Sequence, residues 1–523
     1  MEEQSLLAHW RLGDSPQDCS VSGAHGTASS VTYRTFDDGT GGSAHFDGRT
    51  SVVRVDRRLM RGTDEFTLSL WAKTESILDD VLGDLLSWYD PDTRRGFNLG
   101  IQTAHGVTSH QPNYRQLYFG VDAGCKPVWR DCGRPGHAVR VMALATFEGS
   151  LYAGTFEIGA DESGHVYRYA GGQSWEDCGN PDPCNAVASL AVFEGELYAG
   201  VTRYRAQGSA LPESGNQHPG GAVYRYDGGR KWVDCGRLPD ADSVICMTVF
   251  RGQLYAIPWY SQGVFCYEGG TSWRYCGTPG RRLMSLTVFN GELYAAGNEG
   301  GGVFRYGGDT TWEPCGFQKG MTQIYSFAAY RGRLHIGAWP EARVFEFGGG
   351  GHWIDRGLLG DEKEVMGMMV YNGKLYAGTL PLAEVYRYDG HKQWTRLQQL
   401  DLTPDVRYRR VWSMAIYGGR LYCGTLPSGR VFSMEAGKCV SDDRELPPGW
   451  RHIVARRAST SLGLFVDGRL VASVEDPELR SMDIGNDSPL LIGLGPVDHF
   501  NGEMRDVRIY GRALSDTEIK ALA

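Results

Sequence analysis

"TFEGSLYAGTF" at residues 146–156 reads as a strand, a tight turn around Gly149 and a second strand, and the chain repeats the phrase six more times. It returns as VFEGELYAGV (192–201), VFRGQLYAIP (249–258), VFNGELYAAG (288–297), AYRGRLHIGA (329–338), VYNGKLYAGT (370–379) and IYGGRLYCGT (416–425). Asn-Gly, Glu-Gly and their relatives supply the positive φ angles that a two-residue hairpin demands. Alternation in "ELYAG" turns one face inward with period two. Behind each of the first six hairpins come a loop of variable length, a third strand such as "VYRY", a glycine turn and a Trp-led fourth strand, which ends W-x-x-C-G in the first four. Four short antiparallel strands recurring every 40–57 residues or so are the signature of propeller blades.

Seven turn glycines, Gly149, Gly195, Gly252, Gly291, Gly332, Gly373 and Gly419, predict seven blades. The seventh lacks a good Trp-led strand, having only KCVSDDREL (438–446), whereas an unclaimed one, VWRDCG (128–133), precedes the first blade. The early strand around Trp129 is therefore expected to complete the blade begun at Trp412, closing the ring and removing its sheet edges. Cys132, Cys178, Cys235, Cys276 and Cys315 share one slot of the repeat. Equivalent positions on radial units lie too far apart for disulfides, so they read as small buried hydrophobes.

Composition agrees with a turn-rich, all-β chain: 523 residues, 72 Gly, 14 Trp and 27 Tyr. The length calls for more than one domain. A formal net charge of −9 disfavours nucleic acid and anionic membrane as general partners. No run approaches the ~20 apolar residues of a membrane-spanning helix. The acidic start MEEQSLLAHWRLGD is unlike a signal peptide, so the chain is expected to be cytoplasmic or to have had a leader removed.

The repeat stops well before the C-terminus. Flanking it are LLAHWRLGD (6–14), AHFDGRTSVVRV (44–55) and FTLSLWAKT (66–74) on one side. On the other are GWRHIVARR (449–457), LGLFVDGRLVAS (462–473), SPLLIGLG (488–495) and FNGEMRDVRIYGRALSDTEIKAL (500–522). In order, these segments resemble the two halves of a laminin-G-like jelly roll, the concanavalin A-like lectin/glucanase fold. The expected fold is thus all-β: a seven-bladed β-propeller at 125–446 inserted into a laminin-G-like β-sandwich made of 1–124 and 447–523. A propeller's ends meet at its closure, as insertion into a loop requires. The resemblance also implies carbohydrate or protein ligands and one structural calcium, whose ligands here would be Asp14, Asp18 and Asp506. Arg505 stands where the family's strand carries an Asp, which sets a repelling charge beside any cation.

In a propeller, the loops between second and third strands, and those between blades, line one rim of the channel. On these loops Arg140, Arg203, Arg205, Arg282, Arg343 and Arg409, with Arg281, Arg407 and Arg410, meet the aromatics Trp259, Tyr260, Trp339, Tyr408 and Trp412. Guanidinium forks beside aromatic faces suit an anionic or sugar-like ligand. The bland alternative is a rim that is polar because it is solvated. Rim carboxylates, among them Glu157, Glu162, Glu213, Glu341 and Glu364, are numerous enough to pair by chance. A lyase would draw on His137 or His218 with Tyr260 or Tyr408, so the catalytic candidates are His137, His218, Tyr260, Glu341 and Tyr408. No HExxH, P-loop or G-x-S-x-G phrase fixes a reaction. The expected function is therefore a lectin-like protein binding a glycan or polysaccharide on the propeller rim. Its alternatives are a polysaccharide lyase or glycoside hydrolase working in the channel, and a protein-interaction scaffold.

Overall fold

The computed structural model describes residues 5–36, 41–318 and 320–523. Seven four-stranded antiparallel units follow one another around a channel. Their innermost strands begin at Arg140, Ala186, Cys246, Leu283, Gln323, Glu364 and Arg410. The closure expected from the repeat is present: Val128–Asp131 pairs with Val431–Glu435 and forms the outer strand of blade 7.

The W-x-x-C-G phrase is a seam between blades. The indole Nε1–H of Trp175 donates to the Cys132 carbonyl at 2.8 Å, Trp232 to Cys178 at 2.9 Å and Trp273 to Cys235 at 2.8 Å. Trp312 and Trp353 continue the pattern to Cys276 and Cys315, each at 2.9 Å, and Trp394 reaches Arg356. Each bond contributes about 0.5–1.5 kcal/mol net. The glycine after each Cys is required by the same seam. At Gly236 φ is +88°, and a Cβ there would lie 2.2 Å from the Thr271 carbonyl of the next blade. The cysteines themselves are free thiols.

The flanking segments form one two-sheet sandwich. Phe66–Thr74 pairs with Gly449–Arg457 residue by residue, and Asn501–Tyr510 lies between Gly42–Asp47 and Phe66–Thr74. The second sheet runs Thr27–Ser29, Val52–Val55, Leu490–Ile492, Gly83–Asp90, Arg95–Ala104, Asn113–Ala123, Lys438–Glu445. Trp10, Phe46, Phe66, Phe97, Phe119 and Leu464, all fully buried, fill the space between the sheets. One assignment changes. Residues 438–445, counted above with the propeller, hydrogen-bond to Asn113–Ala123 and extend the sandwich. With Trp129 already completing blade 7, this strand had no propeller edge left to join.

The sandwich covers the face of the propeller where the repeated Gly turns lie. Gly149 N–H donates to the Asp443 carbonyl at 2.9 Å, Arg251 N–H to Leu78 at 3.0 Å and Arg331 N–H to Pro496 at 2.8 Å. The connection between Arg95–Ala104 and Asn113–Ala123 also leaves the sandwich and enters the channel. Val107, Thr108, Ser109, His110 and Gln111 are each at most 2% exposed. Thr108 Oγ1–H donates to the Trp412 carbonyl at 2.5 Å, His110 Nε2 to Met414 at 3.0 Å, and Gln111 N–H to Leu190 at 3.1 Å. Burial holds His105 and His110 neutral, down to about 3 and about 4. The channel is therefore stoppered from the sandwich side and opens at the opposite rim.

Candidate functional site

At that open rim lies a cleft of about 690 Å³. Its floor is made by a repeated irregularity of the inner strands. In blade 1 the register shifts between Val141 and Ala143, in blade 5 between Ile324 and Ser326, and in blade 7 between Val411 and Ser413. Each bulge leaves one residue outside the ladder and re-aims its side chain. Met142, Tyr325 and Trp412 are those residues, and they meet in one cluster although they come from three blades.

Arg140 is 1% exposed and lies flat on Trp412, its guanidinium carbon 3.6 Å from the ring centroid. Nη1–H donates to Tyr204 Oη at 2.7 Å, and Tyr204 in turn bonds Ser209 Oγ. One wall is an aromatic stack: Tyr204 on Trp259 at 5.1 Å, then Trp259 on Tyr260 at 5.2 Å and 5°. Arg205 covers the far side of Tyr260 at 4.3 Å and pairs with Asp242 at 3.0 Å. Arg203, Gln207, Glu213, Gln217, Arg282, Asn298, Gln323 and Arg410 complete the lining.

Several polar atoms of the charged groups at the floor have no hydrogen-bond partner. Arg140 Nε and Nη2, Arg410 Nε and Nη1, and Glu364 Oε1 are buried, and none has a hydrogen bond. Glu364 is 3% exposed and heads the inner strand of blade 6. Burial pushes its carboxyl up to about 8, against the pull of Arg410 and Arg140. Burial likewise brings Arg140 down to about 10, still protonated at neutral pH. The floor thus carries two guanidinium charges, with Glu364 buried beside them and shifted toward its neutral form. Unsatisfied buried polar groups are costly, and two cations side by side more so.

Of the rim residues named from sequence, Arg140, Arg203, Arg205, Trp259, Tyr260, Arg282 and Trp412 line this cleft. Trp339, Arg343 and Arg409 do not. Arg343 pairs with Glu341 at 2.7 Å and Asp355 at 3.2 Å, while Arg409 donates to the Thr403 carbonyl at 2.7 Å. Of the catalytic candidates only Tyr260 lies on the cleft. His137 binds Glu162 on blade 1, exposed His218 follows the cleft-lining Gln217, Glu341 is tied to Arg343, and Tyr408 packs beneath Arg407 and Arg410. Glu364 and Arg410 were visible only as two among many charged rim residues. Only the ring brings the heads of blades 6, 7 and 1 together.

On the sandwich, the carboxylates implied for calcium do not form a coordination shell. Asp18 is enclosed by its own loop, accepting from His9 N–H (2.9 Å), Ser20 N–H (2.8 Å), Ser20 Oγ (2.8 Å), Ser22 Oγ (2.7 Å) and Ala24 N–H (2.7 Å). Asp506 is paired with His9 at 2.8 Å and Arg508 at 3.1 Å. Arg505 sits among Phe36, Trp71 and Trp450, 4.8–5.3 Å from their centroids. Asp14, which lines the hollow shared with Asp506 and Arg505, accepts from Ser15 Oγ at 3.0 Å and from no other described residue. These residues do not fit a calcium ion.

With the geometry in place, comparison with known proteins adds one family. A sequence model of the concanavalin A-like lectin/glucanase superfamily matches residues 417–520. No curated protein sequence matches the chain significantly. Among solved structures, virginiamycin B lyase from Staphylococcus aureus is 7% identical, with a TM-score of 0.48 over 59% of this chain and 99% of that one. A gluconolactonase from Xanthomonas campestris is 12% identical, with a TM-score of 0.34 over 68% of this chain and 97% of that one. At these identities and TM-scores neither structure carries an argument about this chain. Among the described residues, no helix is long and apolar enough to cross a membrane.

Proposed function

We propose that this protein recognises an acidic carbohydrate in the propeller cleft, as a binding protein of lectin type. The observation that carries the reading is the pair of buried guanidiniums, Arg140 and Arg410, which have N–H groups without a hydrogen-bond partner and line a cleft with one aromatic wall and a polar, Arg-rich rim. The free edge of Arg140 is Nε with Nη2, the side that grips a carboxylate through two parallel bonds. Trp259 and Tyr260 offer flat apolar faces on which a sugar ring can stack. Glu364, buried beside the two guanidiniums and shifted toward its neutral form, adds little opposing charge. The stopper at 107–111 makes the cleft blind, so a chain end or branch enters and does not thread through.

A second reading rests on Glu364 itself. A carboxyl held protonated near neutral pH beside a cleft is suited to general acid chemistry, which would make the protein an enzyme on the same ligand class. Calorimetric titration with uronate-containing and matched neutral oligosaccharides, followed by product analysis after long incubation, tests both. The binding reading expects acidic ligands to bind at least about tenfold tighter and to be recovered intact. Arg140→Lys, which keeps charge but loses the fork, should lose most of that preference, and Arg410→Ala should weaken binding. Equal affinity for neutral and acidic ligands, or none for either, would refute it; product formed at a rate abolished by Glu364→Gln would establish the enzyme instead.

A further inference from the structure

Away from the cleft, blade 1 gathers three side chains of metal-ligating type. His137, in the loop before the inner strand, and Glu157 and Glu162, in the loop between second and third strands, place one ligand atom each within 4.8 Å of the others. His137 Nδ1 and Glu162 Oε1 are 2.9 Å apart. Glu157 is 4% exposed. Its Oε1 accepts only from two neutral hydroxyls, Thr155 and Tyr167, each at 3.2 Å. Its Oε2 receives no hydrogen bond from any described residue. Largely buried Glu157, with one oxygen free of any described donor, thus faces a second carboxylate and an imidazole.

The cationic groups nearby are otherwise engaged. Arg134 donates to the carbonyls of Ala138 and His137, and His165 is held by Asp177 at 2.9 Å. From these observations we infer that His137, Glu157 and Glu162 bind a divalent first-row transition ion, Zn²⁺ or Mn²⁺. One imidazole nitrogen with two carboxylates is a ligand set such ions take, with further positions left to water. Ca²⁺, which takes six to eight oxygens, is not the fit. Bonds of ~2.0–2.2 Å need ligand atoms roughly 3–4.4 Å apart, and the exposed His137 ring can turn to close that distance. The ion would replace the hydrogen bond between His137 and Glu162, and two carboxylates would balance its charge. The inference is independent of the ligand proposed for the cleft.

The test uses untagged full-length protein, dialysed against chelator and then titrated calorimetrically with Zn²⁺ and with Mn²⁺. Co²⁺ serves as a spectroscopic probe. One ion per chain is expected, with visible d–d absorption on Co²⁺ addition that Zn²⁺ abolishes. His137→Ala and Glu157→Gln should each weaken binding by at least about tenfold. Cys19→Ser, removing an exposed thiol elsewhere, should leave it unchanged. The His137 ring is largely exposed, so its removal leaves the fold intact, to be checked by circular dichroism. Absence of binding by the wild-type chain, or binding unaltered in both the His137 and Glu157 variants, would overturn the assignment.

Discussion

Glu364→Gln is the substitution whose consequence follows most directly from the structure. Unfolded, the Glu364 carboxyl titrates near 4.5; folded, burial raises it to about 8. Between those values the folded chain holds a proton that the unfolded chain has released, so stability falls as pH rises from about 4.5 to 8 and levels off above. At ~1.36 kcal/mol per pH unit the full loss is about 5 kcal/mol, a large part of any domain's net stability. Glutamine has the shape of the neutral acid and nothing to titrate. At pH 5 the variant and the parent should melt together. By pH 8 the variant should melt higher, by on the order of 5–10 °C for a domain of this size. Asp80, raised to about 7, and Asp84, raised to about 6, titrate in the same range, but they are common to both proteins and cancel in the difference. Scanning calorimetry or intrinsic fluorescence melts at half-unit pH steps would suffice. A difference that does not change with pH, or a variant that melts lower at pH 8, would refute the neutral carboxyl on which the cleft's charge balance rests.

Other outcomes follow from the seams. Asn113 ties the stopper to blade 7, giving its side-chain N–H to the Ile416 carbonyl (2.8 Å) and accepting from Ile416 N–H (3.0 Å). Asn113→Ala leaves the buried Ile416 N–H without its acceptor, while the carbonyl keeps Thr146 Oγ1 (2.8 Å) and Gln116 Nε2 (3.2 Å); it should cost about 1–3 kcal/mol, read as a lower melting temperature and faster exchange of the Ile416 amide. At the ring closure, Gly429 has φ +63°, and a Cβ there would lie 1.8 Å from the Ala138 carbonyl. Gly429→Ala should destabilise the chain by more than about 2 kcal/mol and speed proteolysis between blades 7 and 1; unchanged melting and digestion would contradict the closure described here.

The blades were readable because everything that makes one is local. Two-residue turns, period-two strands and a Trp-led fourth strand lie within a few dozen residues, and each unit repeats the message. Closure was readable too, because a lone Trp129 strand at one end matched a missing one at the other. The split sandwich could be recognised from phrases such as FVDGRLVAS, even though its pairing spans the propeller. Rim loops could be identified as the place where Arg and aromatic residues collect, and seven of the ten ligand-binding residues named there do line one cleft.

What the sequence alone determined, then, was the repeating unit, the number of blades and the two chain segments of the sandwich, since hairpin geometry and hydrophobic alternation act over short distances. Tertiary structure decided the rest. A bulge is one extra residue that looks like any other in the strand, yet it turns Trp412 into the channel and beneath Arg140. Nothing in the local pattern of residues 104–112 marks them as a stopper; only the ring supplies the channel they fill. Glu364, Arg410 and Arg140 are unremarkable charges in three separate blades. Only closing the circle brings them together, out of water, where the absence of a partner becomes a physical property of the site.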